Sequence, residues 1–172
     1  SINPKEIMFE EKAYEICQSF EDDSTNAIAY LIGHELGHKF NRDFNSIENS
    51  SLYSRLSFGG EDSSSKAIRD IIELNHRVKI EGEADEFACL YTKIAGFNSI
   101  GIAEDLVKKI YKSYKLKDDI LPNYPKLERR IEITKEAIAS TKRLITLFER
   151  ANIAFILGKY DIAIDGFDEL ID

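Results

Sequence analysis

The segment that most constrains the fold of this chain is residues 31–40, where the motif His34-Glu35-Leu36-Gly37-His38 lies inside an apolar run. Histidines four residues apart lie on the same side of an α-helix, with about 6 Å between their Cβ atoms. Two imidazoles at that separation can bind one metal ion, and the adjacent Glu35 can reach a water molecule on that ion. The motif therefore predicts a helix that carries two ligands of a metal site.

An acidic segment further along the chain, Glu81-Gly82-Glu83-Ala84-Asp85, can supply what the two histidines lack. A catalytic zinc ion usually has three protein ligands and a water molecule. Glu81 and Asp85 are four residues apart and share one face of a helix, whereas Glu83 is rotated by about 200° from Glu81 and points away. One carboxylate can bind the metal ion while the other accepts a ring N–H from a ligand histidine, which fixes the tautomer of that ring. The small residues at positions 82 and 84 allow close packing against the histidine helix.

Each motif also has an interpretation without a metal ion. An H-E-x-x-H string occurs by chance in many proteins, and an acidic pair on a helix is more often part of a solvated surface. Their combination favours the metal site, because two of the three histidines fall in the motif and because Glu81 and Asp85 lie in an otherwise apolar helix. Buried carboxylates without a partner are costly, and a shared cation supplies that partner.

Two glycines interrupt the helix propensity of the histidine segment. Gly33 and Gly37 each cost about 1 kcal/mol relative to alanine in a helix. Both lie next to the predicted metal ligands, where a missing side chain allows another segment to approach. Simple tolerance of glycine in a buried helix explains them equally well.

The composition limits the classes of function. The 172 residues carry a formal net charge of −8, which disfavours a nucleic-acid partner, because phosphate binding requires a basic surface. No apolar run approaches the roughly 18 residues of a transmembrane helix, so we expect no transmembrane segment. Cys17 and Cys89 are far apart in the sequence, and each lies in an apolar helical pattern, which favours buried free thiols over a disulfide.

The hydrophobic pattern is helical through most of the chain, so we predict a mainly α fold, α+β at most, with a minimal strand region. The second helix begins at Ser24 or Thr25 and carries the histidines. Residues 45–65 are rich in Ser, Asn and Gly and predict a long mobile loop, in which scattered apolar residues allow a short strand or a flap. Other helices are predicted up to Phe20, from Lys66 to Gly96, around residues 102–114, and from about residue 126 to residue 150.

Taken together, the two motifs resemble the soluble branch of the gluzincin metallopeptidases of the HtpX, CAAX prenyl protease and BepA type, over roughly residues 24–135. In that family the first Glu of E-x-x-x-D is the third zinc ligand, and the Asp supports a ligand without binding the metal. These residues match Glu81 and Asp85. The segment at residues 95–98 is similar to the family's A-G-[YF]-[DN], and Tyr124-Pro125 through Arg130 is similar to its H-P-x-x-x-x-R-I. There the arginine lies near the site, so Arg130 is expected to pair with Asp85.

The resemblance implies a zincin-type helical domain that is a zinc-dependent endopeptidase. It implies one Zn²⁺ per chain, bound by His34, His38 and Glu81, and a protein or peptide substrate. Glu35 is then expected to act as general base on a zinc-bound water, taking its proton as it attacks a peptide carbonyl. The family leaves the compartment open, with the bacterial cell envelope or periplasm favoured over the cytoplasm.

The chain also departs from the family pattern. Tyr124 replaces the His of H-P, so the tyrosine is a candidate for gating or for contacting an oxyanion. The strands that precede the motif in the family are missing or very short, and the transmembrane helices of many relatives are absent. His76, the third histidine, lies five residues before Glu81 and is expected to pack on the surface or between helices.

Residues 151–172 resemble the middle of a tetratricopeptide repeat, with Gly158 at the tight turn of a helix hairpin. We therefore divide the chain into a metallopeptidase-like domain, residues 1–150, and a partial helical repeat, residues 151–172; an ordinary terminal hairpin is the alternative. A lone repeat cannot bury its own face, so either the hairpin packs on the first domain or the native chain continues. An alternative function follows, a non-catalytic or latent zinc-stabilised module that recruits a protein partner through C-terminal helical repeats.

Overall fold

The computed structural model describes residues 9–56, 63–116 and 124–171, with side chains described for residues 9–40, 74–116 and 124–171. These residues form helices and contain no strand, which confirms the predicted mainly α fold. None of the described helices combines the length and the apolar character needed to cross a membrane. The described α-helices are α1 (Glu11–Gln18), α2 (Ser24–Leu56), α3 (Ser63–Ile94), α4 (Ala103–Tyr114), α5 (Leu127–Ile156) and α6 (Tyr160–Ile171), with short 3₁₀ turns at Glu21–Asp23 and Ser99–Gly101.

The predicted loop over residues 45–65 is wrong wherever the structure describes that range. Helix α2 continues to Leu56 and α3 begins at Ser63, so no strand or flap forms there, and residues 57–62 lie outside the described part. Serine and asparagine cost at most about 0.7 kcal/mol each in a helix, and Leu52 and Leu56 keep a helical spacing. The segment contains no proline, so its polar composition alone does not end the helix.

Helices α2 and α3 pack closely because glycines of α2 face small residues of α3. A Cβ atom on Gly33 would lie 3.0 Å from the Cα of Ala88, and one on Gly37 would lie 2.8 Å from the Cα of Ala84. Backbone atoms of a packed helix cannot move aside as the end of a side chain can, so glycine is required for this separation. Close approach, rather than tolerance, therefore explains both glycines.

The hydrophobic core lies where α1, α2, α3 and α4 meet. Tyr30 and Leu106 are almost completely buried there, together with Cys17 and Cys89, which are free thiols as predicted. Burial raises the pKa of Cys17 to about 11 and that of Cys89 to about 12, so both thiols stay protonated and unreactive. His34 lies one helical turn after Tyr30, so the core positions the start of the histidine motif.

Helix α5 packs against α3 and α4 and forms a hairpin with α6, which confirms the predicted C-terminal helical hairpin. The backbone turns at Gly158, whose φ of +71° lies in the left-handed region that favours glycine. A Cβ atom on Gly166 would lie 3.0 Å from the Cβ of Ala151, so the two helices are in close contact. Helix α5 runs through residue 150 to Ile156, so the boundary that we predict between two domains falls inside a helix, and the division remains a prediction.

We expect Gly37→Ala to lower the free energy of unfolding by about 1 kcal/mol or more, because the added methyl group overpacks the α2–α3 contact. Urea unfolding followed by circular dichroism measures the change. Gly82→Ala is the matched control, because a Cβ atom there would lie 3.5 Å from the Cγ2 of Ile133, an ordinary contact, and alanine favours the helix. If Gly37→Ala were as stable as Gly82→Ala, the close approach of the two helices would be contradicted.

Candidate metal centre

Three side chains from α2 and α3 bring potential metal ligands together. The Nε2 atoms of His34 and His38 lie 3.0 Å apart. The Glu81 carboxylate faces both, with Oε2 3.4 Å from Nε2 of His34 and Oε1 3.6 Å from Nε2 of His38. One atom from each residue lies within 4.8 Å of the others, so this group could hold a metal ion. The i, i+4 spacing of the histidines on α2 and the glycine contacts with α3 produce this convergence.

The second carboxylate, Asp85, lies behind the histidines and not among the three ligand atoms. It is completely buried, and its Oδ1 is 2.9 Å from Nδ1 of His34. An ionised carboxylate only accepts hydrogen bonds, so Nδ1 of His34 carries the proton. When His34 is neutral, the lone pair of its Nε2 therefore faces His38 and Glu81. The structure thus separates the two carboxylates, with Glu81 at the ligand atoms and Asp85 as the partner of the ring N–H.

The donor set fits a divalent cation. Two imidazole nitrogens and one carboxylate are a common ligand set for catalytic zinc, although imidazole also suits copper, iron and nickel. The Oε2 atom of Glu81 is buried and accepts no hydrogen bond of good geometry from a described residue, although charged groups lie near it. Such an atom needs a cation or a donor. Nε of Arg130 lies 3.2 Å from this atom, and a cation between His34, His38 and Glu81 would add a second positive charge.

Arg130 on α5 joins the two carboxylates. Its Nη2 donates to Oδ1 of Asp85 at 2.8 Å and its Nη1 donates to Oδ2, while its Nε lies 3.2 Å from Oε2 of Glu81. Arg130 is only 4% exposed, so these interactions take place away from water. The expected pairing of Arg130 with Asp85 is therefore present, and it is bidentate.

The buried charges shift the pKa values of the cluster strongly. Burial alone would lower the pKa of His34, but hydrogen bonds to Asp85 and Glu81 outweigh it and raise that pKa to about 9. Burial alone would raise the pKa of Asp85, but hydrogen bonds from Arg130 and His34 hold it well below its usual range. Burial alone would also raise the pKa of Glu81, but a hydrogen bond with His34 and the positive charges nearby lower it. At neutral pH both carboxylates are ionised, and the metal-free cluster holds a proton on His34 that a cation would replace.

Thr134 belongs to the same cluster, although no motif in the sequence singles it out. Its hydroxyl group lies 2.8 Å from Oδ2 of Asp85 and accepts a hydrogen bond from Nη1 of Arg130 at 2.7 Å. The residue is completely buried. The one signal in the sequence is its position four residues after Arg130, which places both side chains on the same face of α5.

Tyr124 lies beside the cluster, at the Glu81 carboxylate. Burial, the Glu81 charge and a hydrogen bond with Glu81 raise the pKa of Tyr124, so its hydroxyl group stays protonated. The neighbouring Tyr111 donates a hydrogen bond to the carbonyl of Pro125 at 2.8 Å and anchors the start of α5. Roles of Tyr124 in gating or in contacting an oxyanion remain predictions.

The other predicted residues lie apart from the ligand atoms. The side chain of Glu35 is exposed, and its role as general base remains a prediction. Glu83 points away as expected, with its carboxylate 3.7 Å from Nζ of Lys79. His76 is half-buried on α3 and does not belong to the group of candidate ligands.

Comparisons with models of protein families, with curated proteins and with solved structures give no match to this chain. The functional interpretation therefore depends on the geometry of the cluster and on the sequence motifs.

We expect the metal-free chain to lose stability as the pH rises through the range from about 6.5 to 9. The pKa of His34 is about 9 in the folded state and about 6.5 in an unfolded chain. A raised pKa contributes stability that is complete below the unfolded value and is lost as the pH passes the folded value. Urea unfolding in the presence of a chelator at pH 6, 7.5 and 9 tests this, and His34→Gln should remove most of the dependence. A wild-type stability that is constant over this range would contradict the expectation.

We expect Asp85→Asn to lower the free energy of unfolding by about 3 kcal/mol at pH 7, because the buried guanidinium of Arg130 loses its bidentate charged partner and keeps only the contact with Glu81. The lowered pKa of Asp85 means that its contribution is present above the unfolded value of about 3.9 and is lost below it. The deficit of the variant should therefore shrink between pH 5 and pH 3. Asp105→Asn, at an exposed residue of α4, is the control and should change little. An equal effect of the two substitutions would argue against the buried network.

Proposed function

We propose that this protein is a zinc-dependent endopeptidase that hydrolyses peptide bonds in protein substrates. The observation that carries the proposal is the convergence of His34, His38 and Glu81, with the exposed carboxylate of Glu35 on the adjacent position of the same helix. A site that only stabilised the fold would have no use for an acidic residue beside its ligands. The exposure of Glu35 matches a role in proton transfer.

The role that we propose for each residue follows from its position. When bound, zinc would lower the pKa of a water molecule towards about 7 and polarise the substrate carbonyl. Glu35 would accept the proton of the attacking water and pass it to the leaving nitrogen. Asp85 holds the proton of His34 on Nδ1, so that Nε2 keeps its lone pair for the metal. Arg130 keeps Asp85 and Glu81 ionised by pairing with both.

The likeness to the gluzincin metallopeptidases supports the same proposal from the sequence. The H-E-x-x-H and E-x-x-x-D motifs, at residues 34–38 and 81–85, supply the residues that form the cluster. Arg130 occupies the position of the family's arginine and pairs with Asp85. Tyr124 differs from the family's histidine, so we propose that substrate access or oxyanion contacts in this chain differ from those of the family.

Glu35→Gln tests the assignment of the general base. The amide cannot accept a proton, so we expect cleavage of an unfolded protein such as casein to fall at least about 100-fold, with zinc content unchanged because the metal ligands remain. Cleavage rates and elemental analysis of the same preparations give both values. Cleavage by Glu35→Gln at the wild-type rate would show that another residue is the base.

His34→Ala tests the ligand set. We expect this variant to lose stoichiometric zinc, because two ligands from different helices bind the ion far more weakly than three. His76→Ala is the matched control: it also removes a histidine, but one outside the group of candidate ligands, and it should keep its zinc. If His34→Ala and His76→Ala held equal amounts of zinc, the proposed ligand set would be wrong.

A second candidate is a non-catalytic or latent zinc-stabilised module that recruits a protein partner. The hairpin of α5 and α6 favours it, because large apolar side chains there are more than half exposed, and clustered exposed apolar residues often mark an interaction surface. Cleavage of casein that depends on zinc and stops with a chelator would support the peptidase. Stoichiometric zinc without cleavage would support the second candidate. The exposed residues are Phe155, Ile156, Leu157, Tyr160 and Ile162.

A further inference from the structure

Thr134 is a completely buried residue of α5. In the described part of the chain, its hydroxyl group forms hydrogen bonds with the charged side chains of Arg130 and Asp85, which support the metal centre. Its Oγ1 lies 2.8 Å from Oδ2 of Asp85 and 3.0 Å from the carbonyl oxygen of Arg130. It does not reach the ligand atoms themselves. Any role in the metal centre must therefore pass through Asp85 or through Arg130, whose Nε lies 3.2 Å from Oε2 of Glu81.

The hydrogen bonds of the Thr134 hydroxyl group have a defined direction. Nη1 of Arg130 donates to Oγ1 at 2.7 Å, because a guanidinium can only donate. The single hydroxyl proton can then be donated either to the Asp85 carboxylate or to the backbone carbonyl of Arg130. An ionised carboxylate is the stronger acceptor, and it is also the nearer of the two. Thr134 therefore donates to Oδ2 of Asp85.

The two carboxylate oxygens of Asp85 consequently have different neighbours. Oδ2 accepts from Thr134 and from Nη1 of Arg130, whereas Oδ1 accepts from Nη2 of Arg130 and lies 2.9 Å from Nδ1 of His34. The two hydrogen bonds that Oδ2 accepts from residues of α5 restrict the rotation of the carboxylate. In that orientation Oδ1 lies 2.9 Å from the ring nitrogen Nδ1 of His34.

We propose that Thr134 is a positioning residue of the metal centre, which sets the orientation of Asp85 and through it the tautomer of His34. The proposal rests on the metal site of the proposed function, but it does not require peptide hydrolysis. Removing the hydroxyl group leaves the three ligands in place and leaves Oδ2 of Asp85 with Arg130 as its donor. The bidentate pairing with Arg130 still holds the carboxylate, but the loss of one donor on Oδ2 loosens the position of Oδ1. The imidazole of His34, and with it the lone pair of Nε2, is then held less firmly towards the metal.

The test compares zinc affinity in three variants of the full chain. Thr134→Val keeps the shape of the side chain and removes the hydroxyl group, and we expect it to weaken zinc binding 10- to 100-fold, as other losses of support behind a metal ligand do. Thr134→Ser restores the hydroxyl group and should bind within a few-fold of the wild type. Thr141→Val is the matched control, because Thr141 is also buried on α5, seven residues later. It should lower stability without changing zinc affinity.

Competition with a chromophoric chelator at pH 7.5 gives the affinities, and urea unfolding confirms that each variant is folded. In the zinc-loaded chain, the hydrogen-bonded Nδ1–H proton of His34 should be visible by nitrogen-edited NMR in the wild type and in Thr134→Ser. It should exchange with water and broaden in Thr134→Val. A merely structural threonine would leave both the affinity and this resonance unchanged.

Wild-type zinc affinity in a folded Thr134→Val would overturn the proposal, and so would equal losses in Thr134→Val and Thr141→Val. A chain that binds no zinc at all would overturn it together with the metal site. If the wild type binds zinc but cleaves no peptide, the peptidase proposal fails while the affinity differences among the variants still support the role of Thr134.

Discussion

The contact between α2 and α3 at Gly33 and Gly37 is the constraint on which the rest of the structure depends. With added Cβ atoms only 3.0 and 2.8 Å from the backbone of α3, neither position accepts a larger residue without separating the helices. The separation decides whether imidazole rings on one helix reach a carboxylate on the other. The core of α1, α2, α3 and α4 then fixes the register, because Tyr30 is buried one turn before His34.

Charge balance explains why Arg130 lies beside the two carboxylates of the site. Glu81 and Asp85 are ionised and buried, and Arg130 neutralises one of these two charges. One negative charge remains, which a proton on His34 can balance in the metal-free chain. A divalent cation would balance it more strongly, because buried carboxylates are stabilised by a paired charge. The cluster is thus arranged to attract a cation, whatever chemistry follows.

The sequence predicted the residues of the site better than the segments between them. The two motifs predicted His34 and His38 as ligands and one of the carboxylates Glu81 and Asp85 as the third, because spacing on a helix is fixed by the 3.6-residue repeat. The family likeness favoured Glu81 as that ligand and added the pairing of Asp85 with Arg130. The loop expected at residues 45–65 was wrong where the structure describes it, because a Ser- and Asn-rich composition carries only a small helix penalty. Thr134 was missed, because a threonine in a helix has no pattern that marks it as part of a buried network.

The sequence by itself determined that two helical pairs, one of histidines and one of carboxylates, exist in this chain and that the fold is mainly α. Helix spacing left open which of the two carboxylates faces the ligand nitrogens, and the family likeness favoured Glu81. The tertiary structure shows Glu81 facing the Nε2 atoms and Asp85 facing Nδ1 of His34. It also placed Thr134 and Tyr124 against those carboxylates. The physical reason is that periodicity defines which residues share a face of one helix, whereas the distance and rotation between helices depend on how their surfaces pack.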